Sequence, residues 1–172
     1  MRSIRFGILT ISDRTSRGER PDASGPALEE AVKGHGWQVV KKAIVADDLI
    51  EIQQVLIAWG DAAEVDILLT TGGTGFSPRD VTPEATLGAV ERLAPGLAEA
   101  MRLASLRVTP HAMLSRAVAG IRKQTLIINL PGSPRGALEN FESIVEVLPH
   151  AVDLLTSAPS AEAGHGKQPS AN

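Results

Sequence analysis

The sequence predicts an α/β fold built on a mainly parallel sheet covered on both faces by helices. Two observations predict it. Short apolar, β-branched runs alternate along the chain with longer stretches of helical spacing, the pattern of strands joined by helical crossovers. The strand-like runs are also short and rich in β-branched residues, as in buried strands.

Taken in order, the strand-like runs cover residues 4–12, 37–45, 65–71 and 125–130. Between the first two, residues 25–33 have helical spacing and stop at Gly34 and Gly36. Residues 48–59 bring Leu49, Ile52, Val55, Leu56 and Trp59 onto one helical face, and Gly60 follows as a stop. A third helix is expected over 82–93, with Thr82 as N-cap, Pro83 at the first helical position and Glu84 in the first turn. Residues 95–108 read as a further helix. The last helix opens on Ser133 and Pro134, runs through Phe141 and Leu148, and is kinked or ended by Pro149. The excursion over 82–118 exceeds what one crossover needs, and offers room for oligomer contacts or a lid. Residues 1–157 are expected to form one domain. The small, polar, proline-containing end, 158–172, is expected to be a disordered tail.

Composition narrows the chemistry. Among 172 residues there is no Cys and no Tyr, and there are three Phe and two Trp. That excludes disulfides, thiolate metal sites and a Cys nucleophile. It also argues against a base-stacking surface, and the net charge of −3 gives no electrostatic footprint for nucleic acid. No signal peptide or membrane-length apolar run is legible, so a cytoplasmic protein is expected. The four histidines lack metal-ligand spacing.

In parallel α/β sheets, ligands bind outside the carboxyl ends of the strands. Every strand-like run here ends in small, acidic or hydroxyl residues: Ser12-Asp13, Asp47-Asp48, Thr71-Gly72-Gly73-Thr74-Gly75 with Arg79-Asp80 just beyond, and Asn129-Leu130-Pro131-Gly132-Ser133. Three glycines in four residues allow a tight turn that brings N–H groups close to an anion. The loop is neither a P-loop nor a dinucleotide fingerprint, because the Lys-Ser/Thr is missing and Pro78 stands where the third glycine would be. Asp48 with Glu51 resembles a capping box, and Asp47 or Asp80 can serve as cap or turn residues. Together, two such carboxylates suit Mg²⁺, which takes its other ligands from substrate phosphates and water. Arg79, Arg116, Lys123 and Arg135 offer positive charge. From the residues alone, the expectation is a Mg²⁺-assisted phosphate site.

The segments ILTISDRTSRGERPDASGP, LLTTGGTGFSPRDVTPEAT and PHAMLSRAVAGIRKQTLIINLPGSPRGA, in this order, resemble the Mog-type molybdopterin adenylyltransferases. The G domains of plant Cnx1 and animal gephyrin are of the same family. The likeness covers about residues 4–157. It implies a three-layer α/β/α sandwich of the molybdopterin-binding kind and a homotrimer. It also implies Mg²⁺-dependent transfer of AMP from ATP to the terminal phosphate of molybdopterin, releasing pyrophosphate. Transient contacts with other cofactor-biosynthesis proteins follow from the same resemblance. By matching positions, Asp47 and Asp80 are implied as catalytic, acting through the metal. Ser12, Asp22, Gly72, Gly73, Thr74, Gly75, Ser115, Asn129, Pro131 and Gly132 are implied in binding nucleotide or pterin. With so few aromatics, the ligand rings are expected to lie against aliphatic side chains and backbone. Three other readings compete: a Moa-B-type homologue of low or no activity, a non-enzymatic pterin-binding or scaffold domain, and a generic Mg²⁺-dependent nucleotide hydrolase.

Overall fold

The computed structural model describes residues 3–157, so the expected tail lies outside the described residues. Along the chain run β1 (Arg5–Ile11), α1 (Asp13–Ser16), α2 (Ser24–Gly34), β2 (Gln38–Val45), α3 (Leu49–Asp61), β3 (Ile67–Thr71) and α4 (Thr82–Ala89). Then follow β4 (Arg92–Leu93), α5 (Pro95–Leu106), β5 (Ala119–Arg122), β6 (Thr125–Leu130), α6 (Pro134–Ile144) and α7 (Leu148–Leu155). Short 3₁₀ turns occupy Pro110–Leu114 and Val145–Val147.

The six strands form one sheet in the order β2-β1-β3-β6-β5-β4. β2, β1, β3 and β6 are parallel, and β5 and β4 add an antiparallel edge. Successive strand residues point to opposite faces. Ile8, Ile67, Leu69 and Ile128 therefore pack with α2, α5, α6 and α7 through Leu28, Met101, Phe141 and Leu148. Leu9, Leu68 and Ile127 pack on the other face with α3 and α4 through Ile52, Leu56 and Ala85. Two cores on one sheet make the three-layer sandwich.

Several elements depart from the sequence-based expectation. The third helix stops at Ala89 rather than near residue 93. The N–H groups of Glu91 and Ala94 donate to Ile121 O and Ala119 O at 2.8 Å, so this stretch pairs with β5 instead of continuing the helix. Neither β4 nor β5 carries a sequence signal of its own, since each is very short. Thr82 is not the N-cap of α4. It is the helix's first residue, and its hydroxyl donates to Gly72 O at 2.9 Å. β2 is an edge strand with one face half open, not a fully buried one. The last helix is broken at Val145–Val147, and Pro149 sits in the first turn of α7, where its missing N–H costs no bond. The expected caps at Asp48 and Ser133 are formed: Asp48 Oδ1 accepts from the Glu51 N–H at 2.9 Å, and Ser133 Oγ from the Gly136 N–H at 3.2 Å.

Candidate active site

The chain leaves β1 for β2 on one side, while β3 lies on the other. The carboxyl ends of β1 and β3 thus flank the point where strand order reverses, and a crevice opens there. A cavity of about 610 Å³ occupies it, lined by Ser12, Asp22, Asp47, Gly72, Gly73, Asp80 and Gly132 among others. A second cavity of about 290 Å³ adjoins it and holds Thr74, Gly75, Ser115 and Pro131. Ser133 lines both.

Gly72 and Gly73 are where the turn demands glycine. Both have positive φ, +110° and +65°. A Cβ on Gly72 would lie 2.2 Å from Ile11 O, and one on Gly73 would lie 2.3 Å from Thr82 Oγ1 and 3.1 Å from Asp47 Oδ1. The backbone therefore runs directly beside the Asp47 carboxylate.

Asp47 follows β2 and does not cap α3; Asp48 does. Asp47 Oδ2 accepts from the Asp13 N–H at 2.8 Å, and the Asp47 N–H donates to Asp13 Oδ1 at 3.1 Å. Burial, and then the nearby Asp13 and Asp80 carboxylates, push the Asp47 carboxyl above the usual range. Asp13 is held below that range, chiefly by hydrogen bonds from the Arg79 guanidinium at 2.8 and 2.9 Å. Asp80 closes its own turn, its Oδ2 accepting from the Ser77 N–H at 2.9 Å. Asp22 is anchored by Thr10 Oγ1, which donates at 2.8 Å, and by the Gly25 N–H at 3.0 Å.

One of the implied binding residues is placed differently. Asn129 is fully buried and lines neither cavity. Its Oδ1 accepts from the Val118 N–H at 3.1 Å, and its Nδ2 donates to Thr70 Oγ1 and Thr86 Oγ1 at 3.0 and 2.8 Å. That side chain is spent inside the protein, tying β6 to β3 and α4. Ser115 does face a cavity, but the smaller one, apart from Asp47 and Asp80.

The expected cations also divide. Arg79 pairs with Asp13, and Arg135 with Glu139 on the surface at 2.7 Å. Lys123 lies at the opposite end of the sheet, 2.9 Å from Asp61. A larger cavity there, about 770 Å³, is lined by charges that already pair with one another, Arg5 with Asp66 and Lys123 with Asp61. Arg116 turns to main-chain carbonyls. The cation on the main cavity's wall is Arg20, whose Nη2 donates to Ser12 Oγ at 3.4 Å. Sequence reasoning missed it, although it sits inside the R-G-E-R-P-D stretch just before Asp22.

Four of the five aromatic residues lie away from this edge. Phe6, Trp37 and Phe141 pack together, and Trp59 receives Lys41 over its ring at 5.8 Å. Phe76 stands exposed on the rim beyond Asp80.

Among the described residues, no three His, Asp or Glu side chains gather as a complete metal site. Asp47 and Asp80 on one cavity wall nevertheless fit Mg²⁺ in chemistry. That ion asks for one or two carboxylates and takes the remainder from phosphates and water.

Fold and site together define an α/β protein with a polar, glycine-walled cleft on the carboxyl edge of its sheet. The chain belongs to the molybdopterin-binding family of molybdenum cofactor biosynthesis: the family model described as "Probable molybdopterin binding domain" matches residues 7–150. It is 42% identical over 157 residues to the molybdopterin adenylyltransferase of Helicobacter pylori J99, covering 90% of this chain and 89% of that one. It is 47% identical over 158 residues to the molybdenum cofactor synthesis protein cinnamon of Drosophila melanogaster, covering 90% of this chain and 26% of that protein. The chain thus spans about a quarter of the longer cinnamon- and gephyrin-type relatives. The solved molybdopterin biosynthesis enzyme MoaB of Thermus thermophilus superposes with a TM-score of 0.85 at 51% identity, covering 91% of this chain and 98% of that one. No helix among the described residues is long and apolar enough to cross a membrane.

Proposed function

We propose that this protein is a molybdopterin adenylyltransferase, transferring AMP from ATP to the terminal phosphate of molybdopterin. A phosphate oxygen of molybdopterin forms the new bond to the α-phosphorus of ATP. The bond from that phosphorus to the bridging oxygen breaks, and pyrophosphate leaves. The observation that carries the reading is the pair of aspartates, Asp47 and Asp80, on one cavity beside the glycine turn. Two adjoining cavities also suit two substrates meeting at a shared wall.

The attacking phosphate is already anionic, so no activated Ser, Cys or His is required. The obstacle is charge repulsion and alignment. Asp47 and Asp80 would hold Mg²⁺, which when bound supplies charge neutralisation between the phosphates. The glycine turn lets phosphate approach the backbone closely. Arg20 and Ser12 offer further donors at the wall, and Asp22 orders the start of α2 beneath them.

Leu93, Leu103, Leu106, Val108, Met113 and Leu114, all exposed, fall in the stretch of chain between α4 and β5. We take this as the surface on which the chain forms a homotrimer, and light scattering should give three times 18.1 kDa. ATP as donor suits a cytoplasmic setting.

The decisive assay is incubation with molybdopterin, ATP and Mg²⁺, following the adenylylated product by mass. Folded protein that yields none overturns the reading. Pyrophosphate released from ATP without molybdopterin would favour a hydrolase instead. The 51% identity to a MoaB protein favours a second reading, a Moa-B-type homologue of low activity. The same assay separates the two.

A further inference from the structure

Arg116 was expected to offer charge to phosphates, but three of its five N–H donors are already committed. Its Nε donates to Gly75 O at 2.7 Å, its Nη2 to Asp80 O at 2.5 Å, and its Nη1 to the Glu84 carboxylate. Its own N–H donates to Thr74 O at 2.9 Å. One guanidinium therefore grips both ends of the segment 75–80. That segment has no strand or helix of its own, and residues 76–79 are exposed. Within it, the Asp80 N–H donates to Ser77 O and the Ser77 N–H to Asp80 Oδ2, both at 2.9 Å. These bonds shape the turn but do not anchor it to the sheet. Arg79 ties the tip of the turn to Asp13 through side chains, whereas Arg116 anchors its main chain, at the residue whose carboxylate lines the cavity.

We propose that Arg116 is a positioning residue for adenylyl transfer, holding the Asp80 carboxylate at its working place by clamping Gly75 O and Asp80 O together; this rests on the reading given above. The planar guanidinium fork matters here. It presents several donors in fixed directions, whereas a lysine ammonium is a point charge on a flexible stem. Hydrogen bonds from an ionised donor are also about twice as strong as neutral ones, enough to hold an exposed loop. Because Arg116 directly follows Ser115, the same clamp joins the wall of the smaller cavity to the loop of the larger one. Neither substrate has to touch Arg116 for this to work.

The test compares wild type with Arg116→Ala and Arg116→Lys by steady-state kinetics, Mg²⁺ titration and amide hydrogen exchange. Misplacing a reacting group by about 1 Å can cost about 100-fold. Both variants should therefore lose about 100-fold in kcat, while KM for ATP and for molybdopterin stays within about threefold. The Mg²⁺ concentration for half-maximal rate should rise. Exchange should quicken over residues 75–80 and not in the strands. Added guanidinium should restore part of the Arg116→Ala rate. A loss carried by KM, or a kcat within about threefold of wild type, overturns the proposal; so does unchanged exchange over 75–80. If Arg116→Ala does not fold, Arg116→Lys decides. If wild type makes no adenylylated product, the functional reading fails, and exchange over 75–80 still decides whether Arg116 is the clamp.

Discussion

Asp13 and Asp47 hold each other through a reciprocal pair of bonds, each backbone N–H donating to the other's carboxylate, at 2.8 and 3.1 Å. The pair joins the carboxyl ends of β1 and β2. Arg79 then lies on Asp13 from the neighbouring loop, so three segments that are distant in sequence meet around one carboxylate.

Asp47 carries a raised pKa because of burial and the Asp13 and Asp80 charges, while the Arg79 cation works in the other direction. Arg79→Ala removes the cation. In the metal-free protein Asp47 should then hold its proton to a still higher pH, read by NMR titration of its carboxyl carbon. A titration that stays in place or moves down contradicts this electrostatic account.

Asp80→Asn keeps the size and turn-forming ability of the side chain while removing its charge. We expect an unchanged melting temperature and a fall in turnover of about 100- to 1,000-fold, the scale set by losing a preorganised charge-stabilising group. Calorimetry with the mass-based product assay measures both. Unchanged product formation would remove Asp80 from the chemistry.

Gly73→Ala places a Cβ 2.3 Å from Thr82 Oγ1 at a φ of +65°. Strain and clash together should cost about 1–3 kcal/mol in urea denaturation. The shifted turn should also weaken nucleotide binding in calorimetric titration. A stability equal to wild type would mean that the turn relaxes freely.

Asn129→Ala leaves the Val118 N–H and the hydroxyls of Thr70 and Thr86 without their buried partner. The cost should be about 1–3 kcal/mol of stability. Substrate KM for the folded fraction should hardly change, because the side chain does not reach either cavity. A large KM effect with normal stability would restore Asn129 as a ligand residue.

At the far end of the sheet, hydrogen bonds from Arg122 and then Lys123 lower the Asp61 carboxyl to about 2. A depressed carboxylate pKa contributes stability that is present above its unfolded value and lost as pH falls through its folded value. Asp61→Asn should therefore lower the melting temperature at pH 5 and above. The difference should shrink between about pH 4 and pH 2. A pH-independent difference would point to packing instead.

Much of the fold was legible in the residues alone. Three of the four parallel strands, β1, β3 and β6, were readable because burial on both faces leaves continuous apolar runs, while β2, at the edge, was readable from its β-branched residues. The polar residues at their ends marked the edge that bears the cleft, and Ser12, Asp22, Asp47, Gly72, Gly73, Asp80 and Gly132 do meet there. β4 and β5 were not legible, since two and four residues carry too little periodicity and exist only through pairing with a neighbour.

Local patterns in the chain were enough for the layered sheet, the edge that bears the cleft, the glycine turn and the family. Period, capping and chain direction carry the first three, and the resemblance of whole motifs carries the family. How individual polar side chains are spent was settled by the folded arrangement. Asn129 and Ser133 lie four residues apart, yet one is sealed within the core and the other lines both cavities. Arg79, Arg116 and Lys123 look alike as charges, yet one pairs with Asp13, one grips backbone carbonyls, and one sits at the opposite end of the sheet. A charge or an amide announces only what it can bond. Its partner is chosen by where the folded chain brings donors and acceptors together, across separations that no local pattern records.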